Sequence, residues 1–419
     1  MELIINPLLR KRHTLQIEEA QRMLLPFIQT GEHEETALID AYERYAASDI
    51  VSPYAFPHFT RSGMDGYAIC SQDAALATSE DPILLEVIED IPCGKVPIHK
   101  ITEGFASRIM TGAQVPLGAD AVIRLEMVEA YRTDGKQYIS VTRNIRKGTN
   151  ITLAGNEISE GTIIVERGQK LGAGEIALLA TFGFSKVNVF KKPIVGILAT
   201  GTELLGVEEA IEEGKIRDSN SYMLAALVKA AGGNPYMAGK VPDNAADAYQ
   251  KLQSILQLCG VVITTGGVSV GDYDILVDIF AQWEGNMLFN KIAMRPGSPT
   301  TVGEWNGKLI FALSGNPGAA FVGFELLVRG VLAGMQGSNY IPHQFSAILT
   351  VDYLKIDAYT RFVRGISYAV DGKLLVSPVG EDKSSVVASI KDTNCLIVIP
   401  AGKNGIKAGE SVMVIGLVK

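Results

Sequence analysis

The chain has 419 residues, of which 47% are hydrophobic and 20% charged, enough for large cores in about three domains. A net charge of −8 argues against nucleic acid as the main partner, because a phosphate backbone needs a basic face. It leaves room for a small anion held by local donors and a cation. Cys70, Cys93, Cys259 and Cys395 lie far apart and form no CxxC, the usage expected of reduced thiols in a cytoplasmic protein. The five histidines show no ligand spacing, which argues against zinc. Arg10, Lys11 and Arg12 follow the first apolar residues instead of preceding them, the wrong order for a signal peptide. No apolar run approaches the ~20 residues of a membrane span, so no membrane partner is expected.

Taken in order, Ile17, Ala20, Gln21 and Leu24 share one helical face that Pro26 should end, and Leu38, Ala41, Tyr42 and Tyr45 predict a second helix. Residues 53–160 alternate strand-like runs with turns, including a hairpin at Asp134-Gly135. A helix over 171–183 is expected to pack on the two opening helices, making the β region an insertion. From 193 to about 337, strand and helix alternate. Ser219 or Asn220 is a candidate helix cap, and Pro317 suits a first helical position. Four strand–helix units imply a doubly wound parallel sheet with ligands at the carboxyl ends of the strands. After Pro342 the pattern is strands only, with a hairpin at Asp371-Gly372, and predicts a C-terminal β barrel or sandwich.

Four loops fall at predicted strand ends of the α/β region. They carry Thr200 to Glu203, then Asp243-Asn244, then the glycine loop after Val261-Val262-Ile263, then Ser314 to Pro317. The glycine loop, Thr264-Thr265-Gly266-Gly267-Val268-Ser269-Val270-Gly271-Asp272-Tyr273-Asp274, can point several backbone N–H groups at an anion. Its carboxylates would repel phosphate without an intervening cation. Glu203, Asp243 and Asp274 together suggest a Mg²⁺-assisted phosphate site, since oxygen ligands suit that ion. Each acid could instead be a helix cap, and for Asp243 alone the two readings stand level, but the convergence of the loops favours a site for the acids together. Lys291 and Arg295, four apart beside Pro296-Gly297-Ser298-Pro299, form either an oxyanion clamp or a solvated basic turn. In the β region Asp65 sits in a tight turn between Gly63 and Gly66, Thr111 precedes Gly112, and Glu157 lies in another turn.

Six motifs, MDGYA, RIMTGA, ATGTEL, TTGGVSVGDYD, RPGSPTT and LSGNPGAAF, occur here in the order seen in molybdopterin molybdenumtransferases of the MoeA type, the family that includes the gephyrin E domain. The resemblance runs from about residue 14 to the C-terminus. It implies a multidomain subunit: an elongated helical linking domain (1–52 and 162–190), an inserted β-rich domain (53–161), a molybdopterin-binding α/β domain (191–338) and a C-terminal β barrel (339–419). It implies a homodimer that takes adenylylated molybdopterin and molybdate, releases AMP with Mg²⁺ or a similar divalent cation, and forms molybdenum cofactor. Further partners would be the adenylyltransferase and recipient apo-molybdoenzymes.

Carried over by motif, the resemblance implies catalytic roles for Asp274, Glu203 and Asp65, with metal held by Glu203, Asp243 and Asp274. Asp65 and Thr111 would come from the partner's side of a cleft. Substrate contacts would come from Thr111, Asp243, Lys291, Arg295, Gly266, Gly267, Ser269, Ser314 and Pro317, and in the last domain from Arg364 and Ser384. Several positions depart from the family pattern. Arg295 stands where many members have Lys, Ser298 replaces a basic residue of some members, and Ser314 replaces a frequent Pro. Thr202 stands where Asp is common, and Glu157 where Asp is frequent. The rival readings are a pterin adenylyltransferase, whose glycine loop continues as GGTG, and a scaffold or molybdate-binding protein.

Overall fold

The computed structural model describes residues 14–241, 245–266, 285–402 and 405–417. The chain divides into two compact units. One contains the described part of Met1–Ser48, with Arg167–Gly172 and Lys186–Lys419; the other contains Asp49–Glu166 and Ala173–Ser185.

The first unit is built on a six-stranded sheet. Its order is Asn234–Lys240, Ile194–Ala199, Val261–Thr265, Lys308–Leu313, Thr301–Trp305, Asn286–Phe289. The first four strands run parallel, as the strand–helix alternation predicts. The last two are antiparallel, so the sheet is mixed. The cause is local: Asn306 and Gly307 both take positive φ (49° and 79°). An Asn-Gly pair makes the tight two-residue hairpin turn, which forces antiparallel pairing.

Strand alternation sends side chains to both faces of this sheet. Val195, Ile197, Val261, Ile263, Phe311 and Leu313 pack with Leu224, Val228 and Phe321 on one side. Leu198, Val262, Ile310 and Ala312 pack on the other with Leu252 and Ile255 of the helix Ala245–Leu258. Both faces are covered, as a doubly wound sheet requires. Ile17, Ala20 and Leu24 of the first helix join the first of these cores.

The stretch 317–335 is long and apolar enough by composition to cross a membrane, a feature the linear reading passed over. In the fold it is a core helix, 83% buried, interrupted by a π turn at Phe324–Val328. The predicted second helix is absent. The strand His33–Ala37 pairs with Lys186–Phe190 there, followed by the 3-10 turn Leu38–Ala41. The apolar spacing that suggested a helix serves a strand–turn junction.

The C-terminal part is a closed barrel of five strands, Thr360–Val370, Lys373–Pro378, Gln344–Leu349, Ser411–Gly416 and Cys395–Ile399, closed by pairing of the first with the last. The expected Asp371-Gly372 turn joins the first two with positive φ at both residues. A two-residue strand from the α/β region, Met294–Arg295, adds to the barrel by pairing in parallel with Thr360 and Arg361. That addition positions the pocket described below.

The second unit holds a six-stranded sheet in the order Ala121–Arg124, Gly66–Ile69, Phe105–Ile109, Ile83–Ile91, Lys136–Val141, Glu129–Thr133. The Asp134-Gly135 hairpin falls where the sequence predicts it. The helix Ala173–Thr181, expected to pack on the opening helices, is grouped with this unit. Phe182, just beyond it, stacks obliquely on Tyr54 with ring centroids 5.3 Å apart.

Candidate functional site

Two neighbouring features of the first unit are candidate sites. The first is the strand-end crevice. The chain runs from the strand Ile194–Ala199 outward to Asn234–Lys240, then returns to the other side with Val261–Thr265. The reversal places a topological switch point between the ends of the first and third of these strands, where open α/β sheets bind ligands. Thr200 and Gly266 lie there. The Thr200 backbone N–H donates to Thr265 O at 2.9 Å, and the Thr200 hydroxyl to the same oxygen at 3.2 Å. Gly266 has φ +93°, and a Cβ there would lie 2.5 Å from both the carbonyl and hydroxyl oxygens of Thr200. Only glycine lets these two loops meet.

Asn220 completes the crevice, in a role the linear reading did not assign. It is a buried residue in the first turn of the helix Asn220–Ala230, not its cap. Its Nδ2 donates to Thr265 Oγ1 and Gly315 O, both at 2.8 Å, tying the ends of two strands to the helix. Ser219 holds the N-cap position, as expected, but without a side-chain bond; that bond comes from Asp218, whose Oδ1 accepts the Ser221 N–H at 3.0 Å. The signal was present in the polar run Asp218-Ser219-Asn220-Ser221 before an apolar helix, but such runs usually only cap.

Glu203 is exposed beside this crevice, its carboxylate folded over Gly201. Asp243, Gly267, Ser269, Asp272 and Asp274 lie outside the described residues, as does the helix expected after them. Among the described residues, no group of three or more His, Cys, Asp or Glu side chains converges as a metal would need. The described part of the expected metal set is Glu203 alone.

The second feature is a cavity of about 490 Å³ where the Arg295 loop meets the barrel. Arg295, Ser314 and Ser384, three of the expected residues, line it. Pro317 lies between two lining residues, Asn316 and Ala319. The sequence reading missed Lys355, Arg361, Asp382 and Lys383, which also line it. Cations outnumber acids on this wall, the arrangement that recognises an anion.

Arg361 is the fixed centre of that wall. Its Nε donates to Tyr353 Oη at 2.7 Å, Nη1 to Asp357 Oδ2 at 2.7 Å, and Nη2 to Asp382 Oδ2 at 2.6 Å. Burial works to lower the Arg361 guanidinium, but Asp382 outweighs it and the group stays above the usual arginine value. Burial likewise raises the Asp382 carboxyl, and bonds from Tyr353 and Arg361 bring it below its ordinary value. Burial, then the facing Asp382, pushes the Tyr353 hydroxyl well above the normal phenol.

Arg364 does not line the cavity. It is buried behind the wall, donating from Nε to Ser389 Oγ at 3.0 Å and from Nη2 to Lys383 O at 2.9 Å. Burial lowers its guanidinium. It therefore supports the loop carrying Lys383 and Ser384, and the Ser384 carbonyl accepts the Gly318 N–H at 2.8 Å. Lys291 also stands back from the lining, its ammonium 5.9 Å from the Tyr359 ring centre. Ser298, at the place of a family cation, is buried and donates to Ile292 O at 2.7 Å, so it staples the loop.

In the second unit Asp65 and Thr111 are bonded to each other. Asp65 Oδ1 accepts the Thr111 N–H at 2.6 Å and the Thr111 hydroxyl at 2.7 Å. The first of these bonds, then the second, lowers the Asp65 carboxyl, keeping it ionised. Arg61 donates to Glu157 at 2.5 Å in the same unit.

Comparison with known proteins settles the lineage. The MoeA N-terminal region (domain I and II) matches residues 15–183, a probable molybdopterin binding domain matches 196–334, and the MoeA C-terminal region (domain IV) matches 346–417. A Bacillus subtilis protein named molybdopterin molybdenumtransferase is 43% identical over 97% of this chain and 95% of its own length. The chain belongs to the MoeA family of molybdopterin molybdenumtransferases. A Staphylococcus aureus MoeA-family relative of the same name is 38% identical, covering 97% of this chain and 96% of its own. The crystal structure of a molybdopterin biosynthesis moeA protein from Pyrococcus horikoshii superposes with a TM-score of 0.83 at 32% identity, over 96% of this chain and all (100%) of that one. The MoeA architecture, with its closed C-terminal barrel, is the fold described above.

Proposed function

We propose that this chain performs the metal-insertion step of molybdenum cofactor synthesis. It transfers molybdate into adenylylated molybdopterin, releases AMP, and passes the cofactor to apo-molybdoenzymes. The observation that carries this reading is the cationic cavity of about 490 Å³ bounded by Arg295, Arg361 and Lys383. Every reactant in the step is anionic. In an acidic protein, such a substrate needs a local concentration of fixed donors, which that wall offers. Arg361, held by three oxygen partners, presents little freedom to lose on binding. Arg295 adds a planar fork that suits tetrahedral oxyanions, where a Lys would supply a point charge. The hydroxyls of Ser314 and Ser384 are neutral donors at the same wall.

Mg²⁺, or a similar divalent cation, belongs to this proposal through Glu203 with Asp243 and Asp274, and would supply charge neutralisation on the diphosphate. Glu203 by itself does not make a magnesium site. The proposal includes a four-domain subunit acting as a homodimer in the cytoplasm; a monomeric mass in light scattering would contradict the dimer. A pterin adenylyltransferase is the alternative activity, but such an enzyme has no need of the barrel whose strand completes the cationic wall.

The test is reconstitution with adenylylated molybdopterin, Mg²⁺ and molybdate, measuring AMP release and activation of an apo-molybdoenzyme. The proposal expects molybdate to stimulate both. Folded protein that releases no AMP and activates nothing would reject it. In the same assay, Asp274→Asn with undiminished single-turnover AMP release would remove Asp274 from its orienting role.

A further inference from the structure

Besides Asp382 in the cavity lining, a second acid stands against the cavity's arginines. One oxygen, Asp357 Oδ2, faces two guanidinium groups: it lies 2.7 Å from Arg361 Nη1 and 3.7 Å from Arg295 Nε. The two distances differ in kind. The first is a full charge-assisted hydrogen bond; the second is beyond hydrogen-bond reach and acts only through charge. Exposure follows the same division, 10% for the Arg361 side chain against 46% for Arg295. Arg361 is fixed, and Arg295 is attracted without being locked.

Tyr359, two residues on, supplies a shelf. Arg295 Cζ lies 5.4 Å from its ring centre and the Lys291 ammonium 5.9 Å. The Tyr359 N–H donates to Asp357 Oδ1 at 3.2 Å, so the counter-ion and the shelf are parts of one turn. That turn leads into Thr360 and Arg361, which pair with Met294 and Arg295. The register brings the counter-ion, the shelf and the exposed arginine to one place.

We propose that Asp357 is an internal counter-ion that limits how tightly the cavity holds a divalent tetrahedral oxyanion. It engages Arg295 electrostatically. An entering oxyanion must draw the guanidinium fork away from it, while the Tyr359 ring keeps that fork at the mouth. Affinity is thereby held below what the cations alone would give, which favours release of the oxyanion to an acceptor. The inference rests on reading the cavity as the molybdate site.

The experiment is calorimetric titration of the full-length protein with sodium molybdate. Asp357→Asn keeps the acceptor for the Tyr359 N–H and removes the charge together with the Arg361 Nη1 acceptor. It should tighten molybdate binding roughly three- to tenfold, with the gain shrinking at high salt. A merely structural role would weaken binding instead. In an Arg295→Gln background, Asp357→Asn should give most of that gain no longer. Tyr359→Leu should weaken binding roughly two- to fivefold, and Tyr359→Phe should restore it by keeping the ring face. If Asp357→Asn does not fold, the two Tyr359 variants decide the matter: equal affinity in Leu and Phe overturns the proposal. A folded Asp357→Asn with unchanged or weaker affinity also overturns it, while the cavity reading stands. Absence of any molybdate binding by the unmodified protein would overturn both.

Discussion

Two buried arginines of this chain hold carboxylates in opposite ways. Arg329 grips Glu325 one turn away with Nε at 2.5 Å and Nη2 at 2.8 Å, and both side chains are 4% exposed. Arg361 spreads its donors over Tyr353, Asp357 and Asp382, and faces a cavity. Burial opposes the charge on both guanidinium groups, and their carboxylates hold both above the usual value. The first pair is a closed, charge-balanced bidentate bridge with both side chains buried. The second lies among further cations, Arg295, Lys355 and Lys383, on an open wall. Burial of charge is thus common to architecture and site. Surplus charge and access separate them.

The largest effect should come from breaking each pair. Arg361→Ala leaves Asp357 and Asp382 facing each other and should cost roughly 3–5 kcal/mol of stability, with loss of molybdate binding. Arg329→Met should cost stability on a similar scale, but leave molybdate affinity within about twofold where the protein stays folded. Urea unfolding and calorimetric titration on both variants measure the contrast. If Arg329→Met abolished binding, the division between architecture and site would fail.

A smaller effect is expected at Gly318, where a Cβ would lie 1.7 Å from Arg364 Nη1 and 3.0 Å from Ser384 O. Gly318→Ala must displace the arginine that supports the Lys383–Ser384 loop. It should cost about 1–3 kcal/mol and weaken molybdate binding. Unchanged affinity would show that the loop's position does not matter.

Lys383 is exposed and paired with Glu381 on the surface. Lys383→Ala should leave the melting temperature unaltered and weaken molybdate binding by about fivefold or less, in a salt-dependent manner. A large stability loss would move Lys383 to the architectural class.

The smallest effect is a pH dependence. Bonds to Tyr353 and Arg361 overcome burial and lower the folded-state pKa of Asp382, so its ionised form stabilises the fold. That contribution is fully present above the unfolded carboxylate value, about 4, and is lost as pH falls through the lower folded value. Thermal unfolding of wild type and Asp382→Asn should therefore differ at pH 7 and converge toward pH 3. Curves that diverge in acid would reverse the sign assigned to Asp382.

Local patterns carried the parts of this fold that local chemistry dictates. Asp134-Gly135 and Asp371-Gly372 made hairpins, and the short continuous apolar runs made the parallel strands, because each depends on residues a few positions apart. Asn306-Gly307 carried the same signal, and it explains the antiparallel edge that the strand–helix rhythm concealed. The second helix failed because Leu38 and Ala41 fit a turn as well as a helical face, and pairing with Lys186–Phe190 decided between them. At the cavity, Arg295 and Ser314 stood in family motifs, and Ser384 was expected from the resemblance alone. Arg361 and Asp382 were not legible, because their meaning comes from a strand register and a loop that bring distant segments together. Asn220 looked like a cap until its two bonds to strand ends were seen.

The most direct test of the central claim is anomalous diffraction from crystals soaked in molybdate at the molybdenum edge. The account predicts a molybdenum peak in the cavity, within hydrogen-bond reach of Arg295, Arg361 or Lys383, and its loss in Arg361→Ala. A peak at the strand-end crevice near Gly266 and Asn220, with the cavity vacant, would contradict it.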